Sequence, residues 1–347
     1  VLNATRRWKK EWHFRIGVHH LRGLIEAEEA GAQYSQLAST IIRALWPRVA
    51  EEVARRHGPA PGKGGAVVAM GSLGAGQLTA GSDLDLIVIY DADGVEMSEG
   101  KRPLDARGWY AKATKTLITA LSAPTGDGTL YEVDMRLRPS GRQGPVATSV
   151  DSYRNYHLGE AWTWEHLALT RARPLAGKPA LLDAIEAVRV EVLTVTRDPA
   201  KVVADAQDMR ARLAAAGRVG EGLDAKEGPG RMKDIELVGQ AAALIAHCPR
   251  RDVAAQLRAG VSLGWLEAGQ ADALQEAHHL YGRLNQATRL LTDKRLDLDE
   301  IGLGGRRFLS RETDVADVGE LAAKTESIRA RAEGIIAKAM AKPPKDA

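Results

Sequence analysis

Apolar residues recur along this chain at two periods, and the change from one period to the other marks its elements. Between Arg6 and about His57 they are spaced mostly by three and four residues, which predicts two helices. The Pro- and Gly-rich stretch 58–65 breaks this pattern, and the short apolar run Ala66–Met70 follows it. Such a run predicts a buried strand.

Two further strands and one helix are predicted in the next part of the chain. From Asp83 onward a polar start gives way to continuous apolar sequence, which predicts a strand over Leu84–Tyr90 that is buried on both faces. Asp105–Leu121 has helical periodicity, whereas Thr129–Arg138 alternates between apolar and charged side chains. This third strand is expected to have one dry side and one charged side.

Beyond Pro145 the sequence predicts helices only. They are Val150–Leu158, Ala161–Arg173, Ala180–Val195, Pro199–Ala216, Met232–Ala246, Glu267–Leu296 and Asp317–Met340. The predicted fold is therefore of the α+β class, with a small mixed sheet and its helices followed by an all-α helical bundle. We expect N-terminal helices in residues 1–60, the core domain in 61–149 and the bundle in 150–347.

The composition is that of an ordinary globular protein, because apolar residues make up 44% of the 347 and charged residues 27%. The net charge of +3 is too small to indicate a nucleic-acid partner. The lone Cys248 cannot form an intramolecular disulfide, and there is neither a signal peptide nor an apolar run of roughly 18 residues. We expect a cytoplasmic protein with no nucleic-acid or membrane partner. Because the chain begins at Val1 and not at Met, we also expect it to be a piece of a longer protein.

Three aspartates carry the predicted chemistry. Side chains two apart on a strand share a face, so Asp83 and Asp85 project together, and the charged side of the third strand can place Asp134 beside them. Three converging carboxylates repel one another unless cations bind them, and such hard oxygen ligands suit Mg²⁺. Two ions roughly 3.5–4 Å apart could serve the attacking and the leaving oxygens of an in-line phosphoryl displacement.

Residues around these aspartates could bind a nucleoside triphosphate. Gly71 permits close backbone approach, and the Ser72 hydroxyl with neighbouring amides can hold the outer phosphates. Arg136 and Arg138 share the charged side of the third strand, where they either neutralise the triphosphate or form structural ion pairs. The Gly-Ser pair, the Asp-x-Asp and the later aspartate together resemble the polymerase-beta-type nucleotidyltransferase superfamily.

Longer segments are similar to a more specific family. They are Met70–Gly74 with Thr79–Ile87, Leu130–Val146, Glu160–Arg173 and Lys226–Leu237. These segments resemble the bifunctional glutamine synthetase adenylyltransferase/adenylyl-removing enzymes, and the similarity covers essentially the whole chain. The resemblance implies that the three aspartates bind the metal. It also implies nucleotide-binding roles for the turn at Gly71 and for Lys226.

The chain departs from that family at two places. Ser72 stands where the family usually has Lys, and it fits the wider superfamily instead. The glycine pair expected near residue 230 is replaced by Gly230-Arg231, which bears on the roles of Lys226, Asp234 and Glu236. Since Asp234 and Glu236 are only two apart on a predicted helix, capping or packing is an alternative to a role in the site.

The resemblance implies a reaction and its partners. The reaction is Mg²⁺-dependent transfer of AMP from ATP to a tyrosine of glutamine synthetase, with release of pyrophosphate, under regulation by the PII signal protein. The segment Trp162–Arg173 is similar to the C-terminal, attaching half of the family's enzymes. The alternatives are the half that removes AMP by phosphorolysis, a catalytically silent module that docks glutamine synthetase or PII, and a nucleotidyltransferase acting on tRNA or a small molecule.

Overall fold

The computed structural model describes residues 2–215 and 223–344. In this part of the chain the helices are α1 (Leu2–Leu21), α2 (Ala27–His57), α3 (Gly71–Gly74), α4 (Ala106–Ser122), α5 (Val150–Gly159), α6 (Thr163–Leu169), α7 (Pro179–Leu193), α8 (Pro199–Ala215), α9 (Met232–Ile245), α10 (Val253–Ser262), α11 (Ala268–Leu291), α12 (Gly302–Thr313) and α13 (Val318–Ala341). The strands are β1 (Gly64–Ala69), β2 (Leu84–Asp91), β3 (Val133–Asp134), β4 (Thr148–Ser149) and β5 (Arg173–Ala176). None of these helices is long and apolar enough to cross a membrane. The predicted α+β class is confirmed.

The chain divides into two compact units, and each draws on separated segments. The first comprises Val1–Arg15, Ala32–Leu78 and Ser82–Val192, and the second comprises Ile16–Gly31, Thr79–Gly81 and Leu193–Ala347. All the strands of the described residues belong to the first unit. This unit runs to Val192 and so includes β5, which pairs with β1.

The first unit is built on a mixed sheet with the strand order β3-β2-β1-β5. β1 pairs antiparallel with β2 and with β5, whereas β3 and β4 both pair with β2 in parallel. Every residue of β2 from Leu86 to Tyr90 is buried, which accounts for the continuous apolar run in this strand. These buried apolar residues hold β2 in the sheet, and Asp85 lies on the same strand.

Helix α4 packs aromatic side chains against this sheet. Its N-terminus is capped by Asp105, whose carboxylate accepts a hydrogen bond from Gly108 N at 3.0 Å. The Tyr110 ring stacks on the Tyr90 ring with centroids 4.4 Å apart, and the Tyr110 hydroxyl donates to the Pro61 carbonyl at 2.5 Å. The helix therefore packs on β2 and on the loop that leads into β1.

Three predictions about elements are corrected by the structure. The third strand, predicted over Thr129–Arg138, is limited to β3, because Leu130 N and Tyr131 N ahead of it donate to Leu121 O and the chain turns over residues 136–140. The sequence predicts no strand after Pro145, yet β4 and β5 lie there, because each pairs with a strand far earlier in the chain. The helix predicted over Ala161–Arg173 ends at Leu169 as α6, and the chain then enters β5.

The second unit is helical in its described part, and it includes the corner between α1 and α2. His20 Nε2 lies 2.8 Å from Glu312 Oε2, and both side chains are almost fully buried. Arg311 on α12 donates to the His20 carbonyl at 2.8 Å and to the Leu21 carbonyl at 2.9 Å. The corner between α1 and α2, near the start of the chain, is therefore held by α12, which lies near the end of the chain.

Candidate active site

Two neighbouring strands bring two of the predicted aspartates opposite each other. In the parallel pairing of β2 with β3, Asp85 is the partner of Asp134, and Leu84 N donates to Glu132 O at 3.0 Å. Asp85 is half-buried, and the Asp134 side chain is 23% exposed. Asp83 lies just ahead of β2 and is exposed, while Leu84 is buried. This alternation is that of a strand, in which residues two apart share a face.

The turn after β1 lies directly against the Asp85 carboxylate. Gly71 has φ +52°, and a Cβ added there would lie 2.2 Å from Asp85 Oδ2. Met70 N donates to Asp85 O at 2.9 Å, so the backbones of the turn and of β2 are also joined. With its positive φ and the Asp85 carboxylate this close, the position favours glycine.

Both oxygens of the Asp134 carboxylate accept hydrogen bonds from Arg136. Asp134 Oδ1 accepts from Arg136 N at 2.8 Å, and Oδ2 accepts from Nε at 2.6 Å and from Nη2 at 2.5 Å. The Arg136 guanidinium lowers the pKa of the Asp134 carboxyl, and Arg142 adds to this effect. Asp134 in turn raises the pKa of Arg136, and Asp85 contributes through its charge. Arg136 thus responds to the charge of both aspartates.

Arg138 has a different environment from Arg136. Its guanidinium donates to three backbone carbonyls, those of Met135 at 2.7 Å, Arg142 at 3.1 Å and Gly144 at 3.2 Å. These bonds hold together the loop that follows Asp134. The side chain therefore organises this loop and does not pair with the Asp134 carboxylate.

The turn that contains Ser72 is short and bonded internally. Ser72 is half-buried in α3, and its carbonyl accepts from Gln77 N at 2.9 Å. Sequence reasoning missed a residue that reaches this turn, Arg173, which donates to the carbonyls of Leu73 and Gly74. The available signal was its position as the last residue of the family-like segment Glu160–Arg173.

Lys226 belongs to the second unit and begins the loop before α9. Lys226 N donates to Asp224 Oδ1 at 2.8 Å, and the Lys226 carbonyl accepts from Lys233 N at 3.1 Å. Burial lowers the pKa of the Lys226 ammonium group, and the charge of Lys233 lowers it further. Both of these hydrogen bonds involve the backbone of Lys226, so they fix the loop before α9.

The two acidic residues of α9 have partners within the second unit. Asp234 is buried, accepts from Arg210 at 2.7 and 3.0 Å, and accepts from Gly230 N at 2.7 Å. Glu236 lies 3.3 Å from His278 Nε2. The contacts of Asp234 are those of a packing and loop-fixing residue, which is the alternative that the sequence left open.

The donor chemistry of the aspartates fits a divalent cation, since it consists of carboxylate oxygens on adjoining strands. Within residues 2–215 and 223–344, however, no group of three or more His, Cys, Asp or Glu side chains is arranged to hold a metal ion. Both oxygens of Asp134 bond with Arg136 instead. A cation at Asp134 would therefore share this carboxylate with Arg136 or displace the guanidinium from it.

Comparison with known proteins gives two family matches and many relatives. Residues 1–188 match the family model described as Glutamate-ammonia ligase adenylyltransferase, and residues 201–329 match the model described as GlnD PII-uridylyltransferase. Three of these relatives illustrate the match, and each is named bifunctional glutamine synthetase adenylyltransferase/adenylyl-removing enzyme. The protein from Brucella suis is 40% identical over 322 residues, which are 92% of this chain and 33% of the relative. The protein from Mesorhizobium japonicum is 41% identical over 327 residues (93% and 33%), and that from Rhizobium meliloti is 40% identical over 352 (98% and 36%).

The sheet, its aspartates and these matches define a protein of the nucleotidyltransferase class. More particularly, the chain belongs to the glutamate-ammonia ligase adenylyltransferase family, and the resemblance found in the sequence is confirmed. The chain spans about a third of the length of the curated relatives that it matches.

Proposed function

We propose that this chain transfers AMP from ATP to a tyrosine hydroxyl of glutamine synthetase and releases pyrophosphate. The observation that carries the proposal is the facing pair Asp85 and Asp134 beside the turn at Gly71, in a chain of this family. Carboxylates in this arrangement can serve both a divalent cation and a reacting hydroxyl group.

The three aspartates would hold Mg²⁺, which supplies positive charge to the phosphate oxygens when it is bound. The turn at Gly71 and the Ser72 hydroxyl receive the outer phosphates of ATP. Arg136 is exposed beside the carboxylates, so its guanidinium can offset the charge that builds up on the departing pyrophosphate. Arg138 keeps the loop after Asp134 in place and so supports nucleotide binding indirectly.

The acceptor tyrosine must lose a proton, because its ordinary pKa is about 10. In the proposed mechanism Asp134 accepts this proton as the phenolic oxygen attacks the α-phosphorus. The bond from the α-phosphorus to the bridging oxygen of the β-phosphate breaks, and pyrophosphate leaves with its electron pair. The products are a tyrosyl-AMP ester and pyrophosphate, so atoms and charge balance.

The direction of transfer is proposed from the resemblance of Trp162–Arg173 to the attaching half, since the aspartates alone can serve either direction. The test supplies the chain with unmodified glutamine synthetase, Mg²⁺ and ATP labelled in its adenosine, and separately with adenylylated synthetase and phosphate. We expect label on the synthetase in the first reaction. Formation of ADP in the second reaction, with no label incorporated in the first, would assign the adenylyl-removing activity that the relatives' names also contain.

A regulatory module without catalysis is the second candidate, because Arg136 bonds both oxygens of Asp134 and no metal-binding group is assembled in the described residues. Calorimetric titration of the chain with MgATP distinguishes the two candidates. Saturable binding that needs Mg²⁺ supports the enzyme, and absence of binding supports the module.

The PII signal protein and Lys226 complete the proposal. We propose PII as a regulatory partner, supported by the match of residues 201–329 to a PII-uridylyltransferase model.

Lys226, half-buried with a lowered pKa, is proposed as a phosphate-binding residue. A titration of MgATP into a Lys226→Met variant tests this role, since loss of affinity is expected and unchanged affinity would reject it.

A further inference from the structure

The turn at Gly71 is held from one side by β5. This strand pairs with β1 through Ala69 and Arg173, so it runs beside the strand that leads into the turn. Arg173 Nη2 donates to the Leu73 carbonyl at 2.8 Å, and Nε donates to the Gly74 carbonyl at 3.3 Å. One planar guanidinium thus bonds two successive carbonyls, a geometry that the single ammonium group of lysine reproduces only in part.

The backbone just before β5 also lies in close contact with this turn. A Cβ added at Gly74 would lie 2.1 Å from the Arg171 carbonyl oxygen and 2.8 Å from that of Ala69, so only glycine fits there. Arg173 Nη2 additionally reaches Ser39 Oγ on α2 at 3.5 Å. The turn is therefore fixed both by close backbone contact and by a guanidinium that is itself tied to a neighbouring helix.

We propose that Arg173 is a positioning residue that sets the orientation of the turn toward the triphosphate. This inference rests on the proposed function, because it assigns the turn to ATP. Loss of the guanidinium leaves two carbonyls without their charged donor, and the turn that carries Gly71 and Ser72 loosens. ATP then binds less tightly, while groups that lie on other elements, such as Asp134, keep their places.

The test compares Arg173→Gln and Arg173→Lys with Arg43→Gln as the matched control. Arg43 donates through Nε to the Leu175 carbonyl at 3.1 Å, so it also bonds β5 but not the turn. Affinity for MgATP is measured by calorimetry without glutamine synthetase, and KM for ATP and kcat are measured with it. Hydrogen exchange of the amides of Ala75, Gly76 and Gln77, which donate back into the turn, reports the turn without any nucleotide.

We expect Arg173→Gln to raise the Kd for MgATP about tenfold, or about 1.4 kcal/mol, and to speed amide exchange at residues 75–77. KM for ATP should rise more than kcat falls, Arg173→Lys should recover part of the affinity, and Arg43→Gln should match the unsubstituted chain. A Kd for Arg173→Gln within about twofold of the unsubstituted chain would overturn the inference. If Arg173→Gln does not fold, Arg173→Lys decides by the same criterion. An unsubstituted chain that binds no MgATP would instead reject the proposed function, and this inference with it.

Discussion

Gly71 has no side chain, which leaves room for the Asp85 carboxylate. A comparison of substitutions at Gly71 and at Gly76 tests this feature. Gly71→Ala places a Cβ 2.2 Å from Asp85 Oδ2, so the turn or the carboxylate must move. Gly76 also has a positive φ, +80°, but nothing in the described part of the chain lies within 4 Å of an added Cβ. We expect Gly71→Ala to lower MgATP affinity and turnover by about tenfold or more. Gly76→Ala should cost only about 1–2 kcal/mol of stability, measured by denaturant unfolding, and equal turnover of the two variants would contradict this reason.

The aspartates differ from ordinary surface carboxylates in what their loss should do. Asp83→Asn or Asp85→Asn removes one charge from the proposed metal site and also relieves repulsion among the carboxylates. We expect transfer to be abolished, while the midpoint of thermal unfolding without metal stays level or rises. Asp91→Asn is the control, because Asp91 ends the same strand and pairs with Lys63 at 3.2 Å, away from Asp134. Near-normal turnover of Asp85→Asn at ordinary Mg²⁺ concentration would remove Asp85 from the metal site.

His157 provides a prediction about pH. Burial, with a contribution from His166, lowers the pKa of His157 to about 3, and Nδ1 has no hydrogen-bond partner among the described residues. In the unfolded chain its pKa is about 6.5. Between these two values the unfolded chain binds a proton that the folded chain does not, so the free energy of unfolding falls as pH falls through this range.

We therefore expect His157→Phe to weaken the loss of stability between pH 6.5 and pH 4, measured by urea unfolding at several pH values. His279→Gln is the control, since His279 is 55% exposed. An identical pH dependence in His157→Phe and in the unsubstituted chain would show that His157 does not contribute to acid unfolding.

Single elements show what local sequence could and could not predict. The spacing of Asp83 and Asp85 and the apolar run after them predicted β2, because burial on both faces leaves a continuous pattern. The structure places β5 over Arg173–Ala176, where Pro174 and helical periodicity both argue against a strand. Its pairing with Val67 and Ala69, more than a hundred residues earlier, creates it. No periodicity within a few residues carries that information.

Helix α4 has a buried hydrogen bond whose loss can be measured. The Tyr110 side chain is fully buried, and its hydroxyl donates to the Pro61 carbonyl. Tyr110→Phe leaves that carbonyl unpaired, so the free energy of unfolding should fall by about 1–3 kcal/mol in denaturant titrations. Tyr90→Phe is the control on the stacked ring, and we expect a smaller effect there. A larger loss for Tyr90→Phe would mean that stacking dominates this contact.

On the scale of the whole molecule, the two units are each assembled from segments that alternate along the chain. The sequence predicted N-terminal helices over residues 1–60, a core domain over 61–149 and a helical bundle from residue 150, where the strand-like pattern ends. Local patterns report which elements form, but membership of a compact unit depends on which elements pack together. The corner Ile16–Gly31 belongs to the second unit through partners on α12, and no spacing in the sequence links these residues.

The buried pair of that corner predicts a large effect on stability. Glu312→Gln leaves His20 without its carboxylate in a site where both side chains are almost fully buried. Disturbing a buried hydrogen-bonded pair typically costs about 1–3 kcal/mol, measured by denaturant unfolding and by faster amide exchange in Ile16–Gly31. The control is Glu28→Gln, which removes a His–Glu contact of 3.3 Å with exposed His279 and should cost at most about 1 kcal/mol. Equal effects would mean that burial of the His20 pair adds nothing.

The same pair has a consequence for synthesis on the ribosome. Glu312 emerges 292 residues after His20, so the corner between α1 and α2 has no access to its partner during most of translation. At about 5–20 residues per second, that interval lasts about 15 to 60 s. During this time the corner has no partner on α12, whereas every strand described in the sheet has been synthesised once Ala176 is made. The sheet of the first unit can therefore form before α12 of the second unit exists.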